Sequence, residues 1–285
     1  MTADSPTFAP LPSRAVIAVS GPEWRAFLHN LLTQDVETIG EGKARFGGLL
    51  TPQGRLLYDL FVVGRADGVW LDVAAEHREA ILQRLLMYRL RAKVEIAASD
   101  AAVSALFSAD PQDATDPGAG AGEWVGDPRL PALGLRGYGA EGPVGARAGD
   151  EADYDAHRLA LGVPGPADWG SDRTYPIEAN FDLLAGIDFH KGCFVGQETT
   201  SRMKRRGTVK NRMLPLLFDG PAPPFGAEVL AGDLRAGEVL SGAHGRAMAL
   251  LRLDRIEGAE LSVDGRAVRV QRPAWFEAAL GQAAA

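Results

Sequence analysis

Cysteine is nearly absent from this sequence, in which Cys193 is the only one among 285 residues. A single thiol excludes an intramolecular disulfide framework and indicates a reducing compartment, which we take to be the cytoplasm. It also excludes a cluster or structural zinc held by several thiolates of one chain. The histidines are scattered and form no His-x-x-x-His or Glu-x-x-His pair. We therefore expect no permanently bound metal; only a metal shared between two chains would escape this argument.

Long apolar runs are also missing. No stretch approaches the roughly 20 apolar residues of a transmembrane helix. The start of the chain carries an acid and no base before Arg14, so we expect no membrane partner, no secretory signal and no transit peptide. A net charge of −7 argues against nucleic acid as a partner. What is present, 46% hydrophobic and 24% charged residues, is typical of a globular protein, and the length favours two or three lobes.

Apolar periodicity predicts a mixed α+β chain followed by a small β-barrel. A capping box at residues 20–23 opens a first helix that ends near residue 33. Further helices are predicted at 76–90 and 150–161, and residues 109–122 are a loop by composition. Strands are predicted at 15–19, 44–50, 55–64, 69–73, 93–97, 102–107 and 133–138, and in the barrel at 214–218, 228–230, 237–241, 247–253 and 268–271. Residues 137–142 match a dinucleotide fingerprint formally, but no helix can follow them, so we reject that site.

The stretch around Cys193 carries the strongest signal for chemistry. Gly192 and Gly196 flank the cysteine, so a permissive backbone can present the thiol on a loop. Residues 197–206 are predicted as a helix, with Gly207 suited to its C′ position. Cys193 would then precede a helix N-terminus, whose partial positive charge favours a thiolate, and Lys191 adds a full charge.

Each feature of this stretch has a plainer explanation. A free cysteine is most often a small buried hydrophobe, and Phe194 and Val195 would suit a core strand. The basic run that follows contains no acid: Arg202, Lys204, Arg205, Arg206, Lys210 and Arg212. A solvated helix face explains most such runs, and an anion site beside the cysteine loop is the functional alternative.

The motif Lys191-Gly-Cys-Phe-Val-Gly-Gln197-Glu198, followed by Arg202, closely resembles the signature of the YgfZ family. Members of that family are folate-binding proteins related to the glycine-cleavage T-protein and active in iron–sulfur enzyme maturation. Weaker similarities cover nearly the whole chain, at residues 32–35, 54–60, 88–94, 162–164, 176–180 and 247–252. Phe194 stands where the family usually has tyrosine, which removes a hydroxyl and keeps an aromatic ring.

The resemblance implies a T-protein-like α+β fold. Residues 1–207 would form two interleaved α+β lobes around a central folate-binding hole, and residues 208–285 a C-terminal β-barrel. It also implies tetrahydrofolate, or a one-carbon derivative, as the cofactor. Glu178 would face the pterin ring, because a carboxylate can accept two hydrogen bonds from ring N–H groups. The other residues that we assign to folate are Asn180, Asp59, Gln197, Glu198 and Arg202, while Cys193 and Lys191 are assigned to the chemistry.

Three functions follow from these observations. The preferred one is a tetrahydrofolate-binding accessory factor that assembles, inserts or repairs [4Fe-4S] clusters with iron–sulfur client or scaffold proteins, using Cys193 as a transient ligand or redox nucleophile. The alternative is a folate-dependent aminomethyl or one-carbon transferase of the T-protein type. The T-protein has paired carboxylates where this chain has Tyr58-Asp59, which argues against that enzyme. The third is a folate-binding or scaffold protein with a structural Cys193.

Overall fold

The computed structural model describes residues 5–108, 123–206 and 209–283. The predicted loop at 109–122, the C′ residue Gly207 and the boundary at 207/208 lie outside these described residues. The α-helices are α1 Trp24–His29, α2 Arg78–Arg89, α3 Glu151–Ala160, α4 Pro166–Trp169, α5 Gln197–Arg206, α6 Leu253–Ile256 and α7 Ala274–Ala283. The strands are β1 Thr7–Pro10, β2 Arg14–Ser20, β3 Ala44–Leu50, β4 Leu56–Arg65, β5 Gly68–Ala74, β6 Glu95–Ser99, β7 Val103–Phe107, β8 Glu123–Gly126, β9 Leu135–Tyr138, β10 Arg147–Ala148, β11 Asn211–Leu217, β12 Glu228–Ala231, β13 Leu234–Ala243, β14 Arg246–Arg252, β15 Leu261–Val263 and β16 Arg266–Val270.

The first two lobes are interleaved along the chain. One sheet has the strand order β3-β4-β5-β2-β6, and the other has β10-β1-β7-β9-β8. The chain therefore begins in the second sheet with β1, builds the first sheet with β2 to β6, and returns to the second with β7. This arrangement confirms the predicted α+β fold. Helices α1 and α2 pack on the first sheet through a core that includes Leu28, Ile81 and Leu85.

A closed barrel follows, with the order β11-β14-β13-β12-β15-β16 and β16 pairing back to β11. Closure leaves no unpaired sheet edge, and the interior is filled by buried residues such as Leu214, Val239 and Ala249. Strand β15 and helix α7 were missed by the sequence analysis. β15 has only three residues, and the apolar composition of α7 gives little amphipathic contrast. In the described part of the chain, no helix is long and apolar enough to cross a membrane.

The predicted capping box at residues 20–23 is wrong. Glu23 is the N-cap residue of α1 but makes no side-chain cap hydrogen bond. Its carboxylate instead accepts the backbone N–H of Lys93 at 2.8 Å, which ties the start of α1 to the segment after α2. The rejection of the dinucleotide motif is confirmed, because Gly137 and Tyr138 end strand β9 and residues 139–146 form no helix.

A buried ion cluster joins the two sheets. Asp72 on β5 accepts hydrogen bonds from Arg14 Nε on β2 at 2.7 Å and from Arg136 Nη2 on β9 at 2.6 Å. The hydroxyl of Tyr138 donates to the same carboxylate at 3.0 Å. Burial acts to raise the pKa of Asp72, but the Arg136 and Arg14 guanidiniums hold it below its ordinary value. The ionised carboxylate therefore fixes one lobe against the other.

Candidate functional site

Cys193 lies on an irregular loop, residues 187–196, which we call the cysteine loop. The backbone of this loop is anchored to the segment after α1: Asp188 N–H donates to Thr33 O at 2.9 Å, and Val195 N–H donates to Asn30 O at 3.3 Å. Cys193 itself is free and exposed, whereas its neighbour Phe194 is buried. The core-strand interpretation of this segment is therefore excluded. The loop presents the cysteine outward while the following aromatic ring holds the backbone down.

Lys191 anchors the loop rather than facing the cysteine as a free charge. Its ammonium donates to the backbone carbonyls of His29 at 2.5 Å, Leu32 at 2.6 Å and Gln34 at 3.0 Å. Three N–H groups thus meet three converging acceptors, which a lysine ammonium can satisfy. Partial burial lowers the pKa of Lys191 to about 8, against the opposing effect of nearby carboxylates such as Asp35. The side chain remains charged at neutral pH.

The far end of the cysteine loop is fixed by a close contact between two glycines. Gly196 has φ +81°, and a Cβ atom there would lie 2.6 Å from Thr51 O and 2.9 Å from Gly54 Cα. Only glycine fits both the backbone angle and the space. Helix α5 begins at the next residue, as the sequence predicted. The loop therefore runs between a lysine anchor and a glycine anchor, with Cys193 between them.

A separate cavity of about 450 Å³ lies between the two lobes. This volume is in the ~300–1,000 Å³ range of small-molecule sites. Its lining includes Arg14, Asp59, Phe61, Arg129, Arg136 and Tyr154. Asp59 Oδ2 accepts from Arg14 Nη1 at 2.9 Å. The Phe61 ring is covered by the guanidiniums of Arg136 and Arg129, at 4.0 and 4.9 Å from its centroid. The arginines were missed by sequence reasoning, because they come from three separate segments and carry no local motif.

The residues assigned to folate fall in three places. Asp59 lines the cavity, whereas Glu178 and Asn180 lie where the lobes meet the barrel and are not among its lining residues. Glu178 accepts from Asn211 Nδ2 at 2.9 Å and from the backbone N–H of Tyr175 at 3.1 Å. Asn180 is fully buried and donates to Met213 O at 2.7 Å. Both side chains fasten the barrel's first strand to the lobes.

Gln197, Glu198 and Arg202 form the third group, on α5 directly after the cysteine loop. The structure changes the interpretation of the basic run at one position. Arg212 belongs to β11, is buried, and binds Asp182 with both terminal nitrogens at 2.5 and 3.0 Å. It is an internal ion pair and no part of an exposed patch. The side chain of Arg206 lies outside the described residues, and those at 202, 204, 205 and 210 remain exposed.

Beside the cysteine loop lies a polar group that the sequence analysis did not single out. His29 Nδ1 is 3.2 Å from Asp35 Oδ1, and Glu37 completes a cluster whose ligand atoms lie within 4.8 Å of one another. His29 Nε2 is 3.9 Å from the position of a Cβ built on Gly192. Of these three residues only Asp35 lies in a stretch of the family resemblance, residues 32–35, and no local motif marks His29 or Glu37. The structure thus places the cysteine loop next to the end of α1, and the cavity between the lobes is separate from both.

The overall structure is similar to that of the glycine cleavage system aminomethyltransferase T from Bartonella henselae. The TM-score is 0.77, and the match covers 97% of this chain and 88% of that one at 20% sequence identity. The chain therefore has the aminomethyltransferase T fold with a C-terminal six-stranded β-barrel. At this identity the similarity establishes the fold alone.

Sequence comparisons narrow this class to one family. Residues 210–278 match the model of the CAF17 C-terminal beta-barrel domain. The chain is 30% identical over 277 residues to the human iron-sulfur cluster assembly factor IBA57, mitochondrial, covering 87% of this chain and 78% of the human protein. It is 33% identical over 255 residues to the IBA57 homolog of Neurospora crassa, covering 81% of this chain and 58% of that protein. The chain belongs to the IBA57 family, and it spans a little under three fifths of the Neurospora relative's length.

Two expectations change with this result. The family shown is IBA57, and YgfZ remains a resemblance in the cysteine motif. The expected cytoplasmic location is contradicted, because the relatives in Neurospora crassa, human and mouse are all named as mitochondrial proteins. The expectation was wrong because a low cysteine content indicates a reducing environment and does not distinguish one reducing compartment from another.

Proposed function

We propose that this protein is an accessory factor that assembles, inserts or repairs [4Fe-4S] clusters in client enzymes, with Cys193 as the working thiol and a reduced folate in the cavity between the lobes. The observation that carries the proposal is the exposed Cys193 on a doubly anchored loop. The membership of the IBA57 family supports it, since the relatives are named iron-sulfur cluster assembly factors. Iron–sulfur client or scaffold proteins are the partners that this function requires.

In this proposal, Cys193 acts as a transient thiolate ligand to a cluster that a partner protein carries. A thiolate binds iron only after losing its proton, so an accessible and partly electropositive setting favours the step. One thiolate cannot complete the coordination of a cluster, and the remaining ligands come from the partner. Lys191 positions the loop through its three carbonyl contacts and takes no part in coordination.

The residues around the cavity fit a folate. Phe61 and Tyr154 supply aromatic surface, and Asp59 supplies a carboxylate whose Oδ2 is held by Arg14. A carboxylate facing the cavity suits the N–H groups of a pterin ring, which the bound folate would contribute. Glu178 stays a second assignment from the family resemblance, although both of its oxygens already accept hydrogen bonds.

Activity of [4Fe-4S] enzymes in a deletion strain tests the thiol. Wild-type protein should restore activity, and Cys193→Ser and Cys193→Ala should not, at equal protein levels and with unchanged thermal stability. In the purified native protein, iodoacetamide should label Cys193 without denaturant. Full complementation by both variants would leave the structural-cysteine alternative in place, and labelling only after unfolding would contradict an accessible thiol.

Calorimetry with tetrahydrofolate tests the cavity. We expect Asp59→Asn to weaken binding by about tenfold, because a charged hydrogen-bond acceptor is worth roughly 1.5–3 kcal/mol. The matched variant Glu178→Gln separates the two carboxylates: a comparable loss places Glu178 at the pterin, and wild-type affinity removes that assignment. No binding by the wild type would overturn the folate part of the proposal.

The alternative function, a folate-dependent aminomethyl transferase, is favoured by one observation: Asp59 lines the cavity of a fold shared with aminomethyltransferase T. Its neighbour is Tyr58 in place of a second acid. We expect no glycine-dependent formation of methylene-tetrahydrofolate when the protein replaces the transferase in a reconstituted glycine cleavage reaction. Turnover above the background without protein would favour this alternative.

A further inference from the structure

An apolar groove of about 340 Å³ opens between α1 and α2, lined by Glu23, Ala26, Phe27, Asn30, Leu31, Tyr88 and Ala92. We call it the α1–α2 groove. Two large apolar side chains stand beside Tyr88 at the end of α2: Met87 is 61% exposed and Leu90 is 87% exposed. Apolar side chains grouped next to a groove in this way mark a binding surface more often than isolated ones do.

Leu90 is also held in an unfavourable backbone conformation. It follows the last residue of α2 with φ +46° and ψ −106°, a positive-φ conformation that glycine adopts freely and other residues rarely do. A branched side chain there is strained, and almost none of its surface is buried in the monomer. The stability of this fold therefore gives no reason for a leucine at position 90, whereas a contact with another protein does.

Basic residues surround the exposed end of α2. Arg89, Arg91 and Lys93 are exposed, and no ion pair joins them to an acid within the described ranges 5–108, 123–206 and 209–283. The protein as a whole carries a net charge of −7. Residues 89–93 therefore give the end of α2 a positive charge that would attract an acidic surface. Glu23, the acid in the groove lining, has its carboxylate turned to the backbone N–H of Lys93.

The groove is continuous with the cysteine loop. Asn30, which lines the groove, accepts the backbone N–H of Val195 at 3.3 Å. Val195 packs against the same core cluster as Phe27 and Tyr88 of the groove. A protein bound in the groove would therefore lie close to Val195, which is two positions from Cys193 in the sequence.

We infer that the α1–α2 groove is the docking surface for the partner that exchanges a cluster with Cys193. The partner is an iron–sulfur carrier protein with an acidic rim around its cluster and an apolar side chain that enters the groove between Phe27 and Tyr88. This inference rests on the proposed function and adds the surface to which the partner binds. The apolar groove supplies the contact, and the basic rim orients the cluster toward the cysteine.

The test measures binding of the host's small iron–sulfur carrier proteins, each purified and loaded with its cluster, to the full-length protein. Met87→Glu/Leu90→Glu, which places two charges on the apolar surface beside the groove, should raise the Kd by about tenfold or more. Leu234→Glu is the matched control, since Leu234 is 63% exposed on the barrel, and it should leave the Kd unchanged. Charge reversal of Arg89 and Arg91 should weaken binding and reduce its dependence on salt.

Leu90→Gly is a variant in which a loss of binding cannot be attributed to misfolding. Glycine relieves the positive φ, so the variant should be at least as stable as wild type and yet bind the carrier more weakly. If wild type binds the carrier and the Met87 and Leu90 variants bind it with the same Kd, the groove is not the docking surface, and the proposed function still stands. Failure of wild type and Cys193→Ala to bind any carrier would refute the function as well. A wild-type dimer in sedimentation that Leu90→Gly dissociates would assign the groove to a second copy and overturn the inference.

Discussion

Replacing Lys191 by methionine tests whether the cysteine loop is held by its lysine. Methionine keeps the apolar stem and removes the ammonium that donates to the carbonyls of His29, Leu32 and Gln34. A hydrogen bond contributes about 1 kcal/mol net, and more when one group is charged, so three give roughly 3 kcal/mol or more before solvent access is considered. Because the side chain is half-buried and water can reach the freed carbonyls, we expect the free energy of unfolding to fall by about 1–3 kcal/mol.

The effect should be concentrated in the loop. Hydrogen exchange should show faster exchange at residues 187–196 in Lys191→Met and little change in the barrel, because the loop backbone loses its anchor. Lys191→Arg keeps the charge, but its planar guanidinium cannot reach three converging carbonyls equally well. Its stability and loop exchange rates should therefore lie between those of wild type and Lys191→Met. The control is Lys93→Met, which replaces an exposed lysine and should stay within about 0.5 kcal/mol of wild type. Wild-type stability and exchange in Lys191→Met would refute the anchoring role.

The pH dependence of the same pair tests the charge state. The pKa of Lys191 is lowered to about 8 in the fold, against about 10.4 in an unfolded chain. Between these values the unfolded state holds more protons, so the stability of wild type relative to Lys191→Met rises with pH across this window. The slope stays below about 1.4 kcal/mol per pH unit, the limit for a single proton, and solvent screening of this half-exposed group lowers it further. A stability difference that shrinks from pH 8 to 10 would contradict the lowered pKa.

Three further predictions concern the anchors around the site. Gly196→Ala should lower the free energy of unfolding by more than about 1 kcal/mol, measured by urea titration, because its Cβ would lie 2.6 Å from a backbone oxygen. Asp72→Asn should destabilise the protein by roughly 3 kcal/mol or more, since it removes the charged carboxylate that two buried arginines share. Because the pKa of Asp72 is lowered in the fold, its contribution is complete above about pH 4 and is lost as pH falls below that value. Arg202→Ala/Arg205→Ala should reduce any preference for polyglutamylated over monoglutamylated tetrahydrofolate at low salt, measured by calorimetry, because the exposed charges on α5 attract an acidic tail.

Each of these predictions has a control within the chain. Gly226 has the same φ of +81° as Gly196 but nothing within 4 Å of its Cβ position, so Gly226→Ala isolates backbone strain, and equal losses would deny the steric contact. Asp254→Asn removes an exposed carboxylate that pairs with Arg252 at the surface and should change the thermal midpoint little; an Asp72→Asn protein as stable as this control would contradict the buried network. Arg269→Ala removes an exposed positive charge on the barrel. If this variant loses the same polyglutamate preference, the effect comes from the protein's net charge and not from the position of α5.

Local sequence determined much of the architecture. Strand β3 has the predicted bounds and α5 begins at the predicted residue, because a turn at residues 51–54 ends the strand and Gly196 precedes the helix, and both signals are local in the sequence. The glycines on both sides of Cys193 predicted that the cysteine lies on a loop, and it does, because glycine permits the positive φ that Gly196 adopts there. The closed barrel was also predicted, from short strands separated by glycine and proline.

The tertiary structure alone decided which groups meet. Lys191 was predicted to act on the cysteine two residues away, yet its ammonium binds carbonyls about 160 positions earlier in the chain. Arg212 looked like part of an exposed run and is instead buried against Asp182. The cavity draws Asp59 from one sheet and Arg136 from the other. Residue type and spacing fix the backbone locally, but a charged side chain buried with the fold goes where acceptors converge, and that convergence exists only after the interleaved sheets have packed.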